Sequence, residues 1–489
     1  MGKDCIAPGR VSQLRLDISV EHVTPQNQRA GQGFRHSRFR RQLNEQLILF
    51  PPDLKPILPK EHDVFFFINA VRSLDLSAIR MKYENKAGIG SPPYDPTMML
   101  TLIVYCYSRG IKSSRGIERM CLESVPCRVI TGNQKPDHDT IANFQATHRP
   151  VYQNIFQQVL ELASKSGLVK LEHVAVDGSK IHANASKHKA MSYQRMCENI
   201  ETLTNNIEAA EQEITRLQKK RTPRAAVEVR NLKLELRFWR QRMAKIKRFK
   251  KRLERRAKQK AREEAKSKKK LTEQGRRIRK IPDPKKALPK PKDQINFTDP
   301  ESRIMGHAGG EFEQSYNAQI AVDSHCQIIV AHDVVQNGND KQLLEPMFLQ
   351  VHQRLGKYPI AGSADAGYFS EEAVSCESLS HIELFVPPDR ETHPRTSKPR
   401  IGRLPKNISP ADKMRRKLST KNGKDFYAQR KCIVEPVYGQ VKHSVFGFDQ
   451  FSWRGLQNVR NEWALVCTAH NLIKMFRAFS RAPANAMAA

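Results

Sequence analysis

Residues 171–190, LEHVAVDGSKIHANASKHKA, decide how the rest of the chain is read. Val174 and Val176 alternate with Ala175 along a short apolar strand, and Asp177-Gly178 breaks the run. An Asp at the end of a buried strand is held on a rigid element, and the Gly beside it allows close backbone approach. Both features suit a metal ligand. The same pair also suits an Asp-Gly turn between two strands, and this stretch alone leaves both readings open. The basic residues that follow, Lys180, His182, Lys187, His188 and Lys189, favour a carboxylate beside a phosphate-binding surface.

The charge of the whole chain points the same way. With 489 residues there is length for two or three domains and a sizeable core. The formal net charge is +34 and the isoelectric point is near 10.0. Such a field attracts polyanions, nucleic acid first among them. Ribosomal and membrane-surface proteins are also basic, but rarely with this much ordinary globular sequence around the charge. Nine Cys, with no CxxC pair and no zinc spacing, read as scattered reduced thiols. The N-terminus shows no apolar signal core, and the longest apolar run, Met98 to Tyr107, is too short to span a bilayer. A cytoplasmic protein with no membrane partner is expected.

Residues 1–48 form a polar, Arg-rich arm ending in FRHSRFRRQ (Phe34 to Gln42), expected to be flexible. From 49 to 165 the pattern is helical. Asp63 to Val71, the run opened by Tyr94-Asp95-Pro96, and Ser114 to Leu122 read as successive helices. Asp95 is the expected N-cap with Pro96 at the first helical position, and Asp137 or Asp139 caps a further helix. Short helices with Arg109, Lys112 and Arg115 in their turns fit a helix-turn-helix-like DNA-binding domain; a plain helical bundle fits the periodicity as well.

Between 191 and 294 the composition changes abruptly. Ile200, Leu203, Ile207, Ile214 and Leu217 make one helical stripe. Leu232, Leu236, Trp239, Met243, Ile246 and Leu253 make another, and Thr222-Pro223 separates them, as in an antiparallel helical hairpin or coiled coil. Residues 191–290 hold 33 Lys and Arg against 12 Asp and Glu, concentrated in KIKRFKKRLERRAKQKAR (Lys245 to Arg262). A solvated face explains most charge runs; an excess this one-signed repels itself and is better explained by a polyanion partner. Phosphate contacts of this kind position a protein without reading sequence.

Strands then resume. Tyr316 to Asp323 and Gln327 to Val335 read as a hairpin around Asp323-Ser324-His325, with Asp323 structural. Asp333 and Asp340 flank a Gly-Asn-rich loop and are expected behind the site. Lys341 to Leu355 is a helix. Ile360 to Ala364 is a strand ending in Asp365 and then Ala366-Gly367, repeating the logic of Asp177, and Ile382 to Pro387 is a further strand. Strands alternating with helices suggest a mixed sheet with helices on its faces. Past a basic loop at 388–412, Tyr427 to Phe446 carries a single conspicuous acid, Glu435, among Arg430, Lys431, Lys442 and His443. Glu435 and Lys442, seven apart, share a helix face. The following Pro436 requires Glu435 to lie near a helix start. A Glu neutralised by surface lysines is the alternative. Asn458 to Phe479 reads as an amphipathic helix covering the sheet. His138, His173 and His182 lack zinc spacing and read as ordinary polar residues near DNA.

Taken with VAVDGSKIHANASKHKAMSY, NFTDPESRIM, YNAQIAVD, ADAGYFS and VEPVYGQVKH, the three acids make the chain resemble bacterial insertion-sequence transposases with a DDE catalytic domain. The helical stretch ending in KPDHDTIANF is similar to the N-terminal domain of these proteins. The resemblance implies an α/β, RNase H-like catalytic core of mixed sheet and flanking helices at 166–190 and 295–480. The long basic helical hairpin at 191–294 interrupts it, an all-α domain precedes it, and a tail follows at 481–489. It also implies Asp177, Asp365 and Glu435 as catalytic and metal-binding carboxylates. Two Mg²⁺ ions, with Mn²⁺ able to substitute, would be shared by Asp177 and completed by Asp365 and Glu435. The family's block Tyr-x-x-Arg-x-x-x-Glu-x-x-x-x-x-x-Lys matches Tyr427, Arg430, Glu435 and Lys442, with one extra residue before Glu435 unless Lys431 replaces Arg430. Tyr427, Arg430, Lys431, Lys442 and Lys180 are the expected DNA contacts of this domain. Cleavage and strand transfer at the terminal inverted repeats and a target DNA, by a homo-oligomer, are the implied activity. A catalytically inactive DNA-binding derivative is the alternative.

Overall fold

The computed structural model describes residues 54–84, 92–220, 222–273, 281–307, 309–389, 402, 408–444 and 446–481. The expected arm at 1–48, nearly all of the tail at 481–489 and most of the basic loop at 388–412 lie outside them.

Along the chain come α1 (Asp63–Arg72), α2 (Ser77–Glu84), α3 (Pro96–Ser108), α4 (Ser114–Glu123), α5 (Val125–Thr131), α6 (His138–His148) and α7 (Tyr152–Lys165). Then follow β1 (His173–His182), β2 (Ala190–Ser192), α8 (Tyr193–Lys220), α9 (Pro223–Glu273), β3 (Gln294–Asn296), β4 (Arg303–Gly306), β5 (Phe312–Asp323) and β6 (Ile329–Val335). The last part holds α10 (Leu344–Leu355), β7 (Ala361–Ala364), α11 (Glu371–Val374), β8 (Glu383–Phe385), α12 (Pro410–Ser419), α13 (Lys421–Gly439) and α14 (Leu456–Arg481). Two compact units result, one of residues 1–182 and 316–489, the other of residues 183–315. The helices of 49–165, expected as a domain of their own, thus fall in the same unit as the sheet. The division at 315/316 lies inside β5.

In the first unit the strands run in the order β6, β5, β1, β7, β8. β5 and β6 form the expected antiparallel hairpin, and β1, β7 and β8 are parallel neighbours. Asp323 closes that hairpin by accepting the N–H groups of Leu171 (2.7 Å) and His325 (3.0 Å), the structural role expected of it. Local chemistry explains the helix starts. Asp95 accepts from Thr97 and Met98 ahead of Pro96, and Asp137, not Asp139, caps α6 through Thr140. α7 was not read from the sequence, although Tyr152, Ile155, Phe156, Val159, Leu160 and Ala163 repeat at helical spacing.

Three expectations are corrected. β1 does not end at Asp177; it runs on through Gly178 to His182, where Asp449 and Phe451 bond its backbone. The turn reading of Asp-Gly falls with it. α14 is not a one-sided cover: every residue from Asn461 to Ile473 is buried, between β6 on one side and α1, α3 and α7 on others. Several of its polar residues are paired, Asn471 bonding both N–H and C=O of Ile329 at 2.9 Å, while Asn461 Oδ1 and His470 Nε2 are buried without a partner among the described residues. Finally, Pro436 lies well inside α13, so Glu435 is not near a helix start. An interior Pro costs about 3 kcal/mol. Burial of Ile433, Val434 and Val437, at about 1.5–3 kcal/mol each, outweighs it. The carbonyl that Pro436 leaves without its helical donor, that of Cys432, accepts from Gln327 Nε2 at 2.8 Å.

In the second unit α8 and α9 pack along each other as an antiparallel pair. Ile207, Ile214 and Leu217 meet Ala225, Val229 and Leu236, while Met196 and Leu203 meet Ile246, Phe249 and Leu253. β2 pairs with β3, and β4 pairs with the first residues of β5.

Candidate active site

Sheet register brings the two aspartates together. Val176 on β1 is the partner of Ala364 on β7, so Asp177 and Asp365, each one residue further, stand side by side on parallel neighbours. Asp365 leaves the strand and caps a short turn by accepting from Gly367 N at 2.9 Å. Asp177 stays in the strand, its side chain one-fifth exposed. Burial pushes its carboxyl up to about 6, against the pull of Arg430 and the Gly178 N–H, with Asp365 and Asp340 adding repulsion.

α13 lies over β1 and β7 and supplies the third acid indirectly. Arg430, 8 % exposed, reaches Asp177 Oδ2 with Nη1 at 3.4 Å and Glu435 Oε1 with Nη2 at 3.6 Å. Glu435 itself is half exposed. Tyr438, one turn on, donates to the carbonyl of Ala318 at 2.7 Å and to that of Asp177 at 3.1 Å, tying α13 to two strands. A π-helical stretch, Gln440–Ser444, continues the helix and carries Lys442, whose Nζ meets Ser179 Oγ at 3.2 Å. Asp177 and Ser179 are two apart on β1, so Arg430, with Glu435 behind it, and Lys442 reach the same face of that strand. Burial lowers the Lys442 ammonium from its usual range, with Asp449 opposing.

Asp340 belongs closer to this site than its place behind a loop suggested. It accepts from Asn317 Nδ2 (2.7 Å) and Gln319 Nε2 (3.0 Å) on β5. Burial raises its carboxyl, and Asp365 adds to the rise. Gln319 is the hub of this layer: its Nε2 also meets Asn317 Oδ1, its Oε1 accepts from Tyr368, and its carbonyl accepts from Trp463 Nε1. Gly178 makes the hub possible, because a Cβ there would stand 2.1 Å from Gln319 Nε2. Gly178→Ala is therefore expected to lower stability by about 1–3 kcal/mol through forced repacking. Urea denaturation checks it, and a midpoint equal to the native one would show that the layer has slack.

The expected DNA contacts divide. Lys431 is exposed, and so is Arg115, which makes no ion pair among the described residues. Tyr427 is half-buried, with the Arg430 guanidinium 5.8 Å from its ring centre. Lys180 lies near Asp340 and lowers its carboxyl. Arg109 is held by Asp63 and lies over Tyr105. Lys112 bonds the Gln450 carbonyl at 3.0 Å and lies over Phe448. Arg430 is turned inward to carboxylates, so as placed its guanidinium meets acids and not a phosphate. His173 is also corrected: it is buried in the sheet against Ser363 at 2.8 Å and stacked on Phe426, not near a surface.

Paired aspartates on parallel strands of a mixed sheet, with a helical acid linked to one of them through Arg430, are a donor set able to hold divalent ions for phosphoryl transfer. Residues 52–147 match the family described as Transposase domain (DUF772), and residues 280–472 match the Transposase DDE domain. Asp365 and Glu435 lie in the second match; Asp177 lies between the two. No curated protein and no solved structure matches the chain. The two domains in this order define a transposase. The chain belongs to the insertion-sequence DDE transposases, divalent-metal-dependent enzymes that act on DNA. Among the described residues no helix is long and apolar enough to cross a membrane.

The donor chemistry fits a hard divalent ion. Asp177 and Asp365 are adjacent carboxylates, and the buried, mutually repelling charge that raises Asp177 is what such an ion relieves. Their arrangement is not a finished cage: among the described residues no three His, Cys, Asp or Glu side chains converge closely enough to hold a metal. Arg430 stands between Asp177 and Glu435, and its Nε is buried without a hydrogen-bond partner. An unpaired buried donor costs about 1–3 kcal/mol, so the guanidinium is held there less firmly than full pairing would hold it.

Proposed function

We propose that this transposase binds the ends of its own insertion sequence and catalyses their cleavage and strand transfer through Asp177, Asp365 and Glu435. The observation that carries the reading is the side-by-side placement of Asp177 and Asp365, with Arg430 linking Asp177 to Glu435. Mg²⁺ is the expected cation and Mn²⁺ its substitute, held by Asp177 with Asp365 and Glu435. Bound there, divalent ions supply charge stabilisation at the attacking and leaving oxygens of the phosphodiester. The protein's own part is positional. β1 and β7 fix the two aspartates, and Tyr438 fixes α13 against the backbone of Asp177. Arg430 neutralises the carboxylates when cations are absent and is free to turn to phosphate when they are present. Lys442 and Tyr427 flank the same face as further phosphate contacts. The RNase H-like core carries this chemistry, the basic α8–α9 hairpin holds DNA by its backbone, and the working form is a homo-oligomer that brings two DNA ends together.

The test is incubation of the full chain with DNA bearing the element's own ends. Cleavage in Mg²⁺ and none in chelator supports the reading. Binding without cleavage in Mg²⁺ and in Mn²⁺ would leave only a DNA-binding protein.

The pH dependence of metal binding follows from Asp177. Its carboxyl is raised from 3.8 to about 6. Its contribution to folding is thus fully present below pH 3.8 and is lost as pH rises through about 6, where the buried charge forms. Metal binding has the opposite sign, since only the carboxylate ligates. Addition of Mg²⁺ is expected to raise the melting temperature clearly at pH 7.5 and hardly at pH 5. Equal gains at both values would exclude Asp177 as a ligand.

A further inference from the structure

Helix α9 has two apolar faces, and the described residues cover only one. Ala225, Val229 and Leu236 bury against α8. On the other side Val227, Leu234 and Phe238 are 60 %, 60 % and 58 % exposed. At about 100° per residue this second stripe lies roughly 160–200° from the first, so no rotation of the helix buries both against α8. With Asn231 and Gln241 the stripe continues as positions 227, 231, 234, 238 and 241, the alternating four-and-three spacing of a coiled-coil seam.

Charge says what the stripe meets. Along residues 227–241 Glu228 and Glu235 border it on one flank and Arg230 and Arg237 on the other; Arg242, next after the seam, follows the two glutamates on their flank. Glu228 is shared with Arg224 at 3.6 Å. Arg230, Glu235 and Arg237 make no ion pair among the described residues. Two copies of such a helix laid parallel set Arg230 of each opposite Glu235 of the other, five residues on, and the first like-charge pair, Arg237 with Arg242, falls where the seam ends. Laid antiparallel, they set like flank against like. Asn231, the single Asn of the seam, is the residue type that holds a parallel pair to two strands and one register. The seam ends at Gln241, just before the basic run that begins at Lys245, where like charges would drive two copies apart.

We propose that a second copy of this chain docks on this stripe, so that the α9 helices pair in parallel through Val227, Leu234 and Phe238. The inference deepens the homo-oligomer reading given above but rests on none of the catalytic assignments. Its test uses neither DNA nor metal, so its failure leaves those assignments standing.

Sedimentation equilibrium of the full chain, in about 0.5 M salt to screen the basic arms, is expected to give twice the chain mass. Leu234→Gln with Phe238→Gln should return it to the single-chain mass with helix content unchanged, since both residues are exposed in the free chain. Arg230→Glu or Glu235→Arg alone should weaken the dimer roughly tenfold, and the two together should restore it. Orientation is read by Asn231→Cys, which in a parallel pair meets its own counterpart and forms a cross-linked dimer on oxidation that the native chain does not. A native chain that stays monomeric overturns the proposal. So does a Leu234→Gln/Phe238→Gln chain that stays dimeric, or one that keeps its mass and loses only DNA affinity. Failure of the charge swap to restore the dimer, or of Asn231→Cys to cross-link, overturns the parallel arrangement.

Discussion

Asp177→Asn is expected to lower metal-dependent DNA cleavage by about 10²–10³-fold or more, the scale reached when a group that stabilises transition-state charge is removed. The amide keeps the shape of the carboxyl but offers a divalent ion one neutral oxygen in place of a charged pair. DNA binding should persist, because the cations of α9 and Lys431 are untouched. Stability should not fall much, and the reason lies in the same pKa. A rise from 3.8 to about 6 means that ionised Asp177 costs the folded state up to about 3 kcal/mol at neutral pH, and the amide removes that cost. That cost is already net of the Arg430 attraction, the contact at 3.4 Å that the amide weakens. Arg430 keeps Glu435 at 3.6 Å and lies in the field of Asp365. The net sign therefore favours the neutral side chain, and the melting temperature at neutral pH should be no lower than the native value. The stabilisation by Mg²⁺ at pH 7.5 should vanish with the activity. A variant that cuts at the native rate would remove Asp177 from the site, and one that fails to fold would show the carboxylate to be structural.

What the sequence made legible was local. Asp177 and Asp365 were found because each follows a short apolar strand, a pattern within a few residues. The β5–β6 hairpin, the Asp95 cap and the two stripes of the α8–α9 pair were found for the same reason. What it hid depends on residues far apart in sequence. Nothing near Gly178 tells that the strand continues, because the cause is Gln319, which needs the space. Pro436 looked like a helix start because the rule against interior proline is local, whereas Gln327 and the burial of α13 are not. The sequence around Arg430 suggests a phosphate contact; its inward turn depends on Asp177, more than 250 residues earlier in the chain. The apolar pattern of α14 suggests a one-sided helix, since an apolar count cannot show that Asn471 and Glu462 are paired and can be buried as well. The second stripe of α9 was legible in principle, but Val227, Leu234 and Phe238 stand out only once the first stripe is seen to be spent on α8.

Trp463→Ala should produce the largest loss of stability from a single substitution here, about 3–5 kcal/mol. Trp463 is fully buried in the middle of α14 and meets Phe448, Phe451 and Tyr438 at centroid distances of 6.1, 6.3 and 6.5 Å. Truncation leaves a cavity among aromatic rings, which cannot collapse far to fill it. It also removes the donor to the Gln319 carbonyl, 3.1 Å away, leaving a buried acceptor unpaired at about 1–3 kcal/mol. The damage extends to chemistry, because the residues that lose support are those that hold the acids. Gln319 positions Asp340 and Tyr368, and Tyr438 ties α13 to the backbone of Asp177. Cleavage should therefore fall even at temperatures where the variant remains folded. Trp463→Phe separates the two contributions: it keeps most of the aromatic volume, loses the indole N–H, and should cost less than half as much. Thermal and urea unfolding of both variants, with cleavage measured well below the midpoint, gives the ordering. If Trp463→Ala melts within a degree of the native protein, α14 does not support the sheet beneath the site. If it is destabilised but cuts normally while folded, Gln319 and Tyr438 hold their places without it.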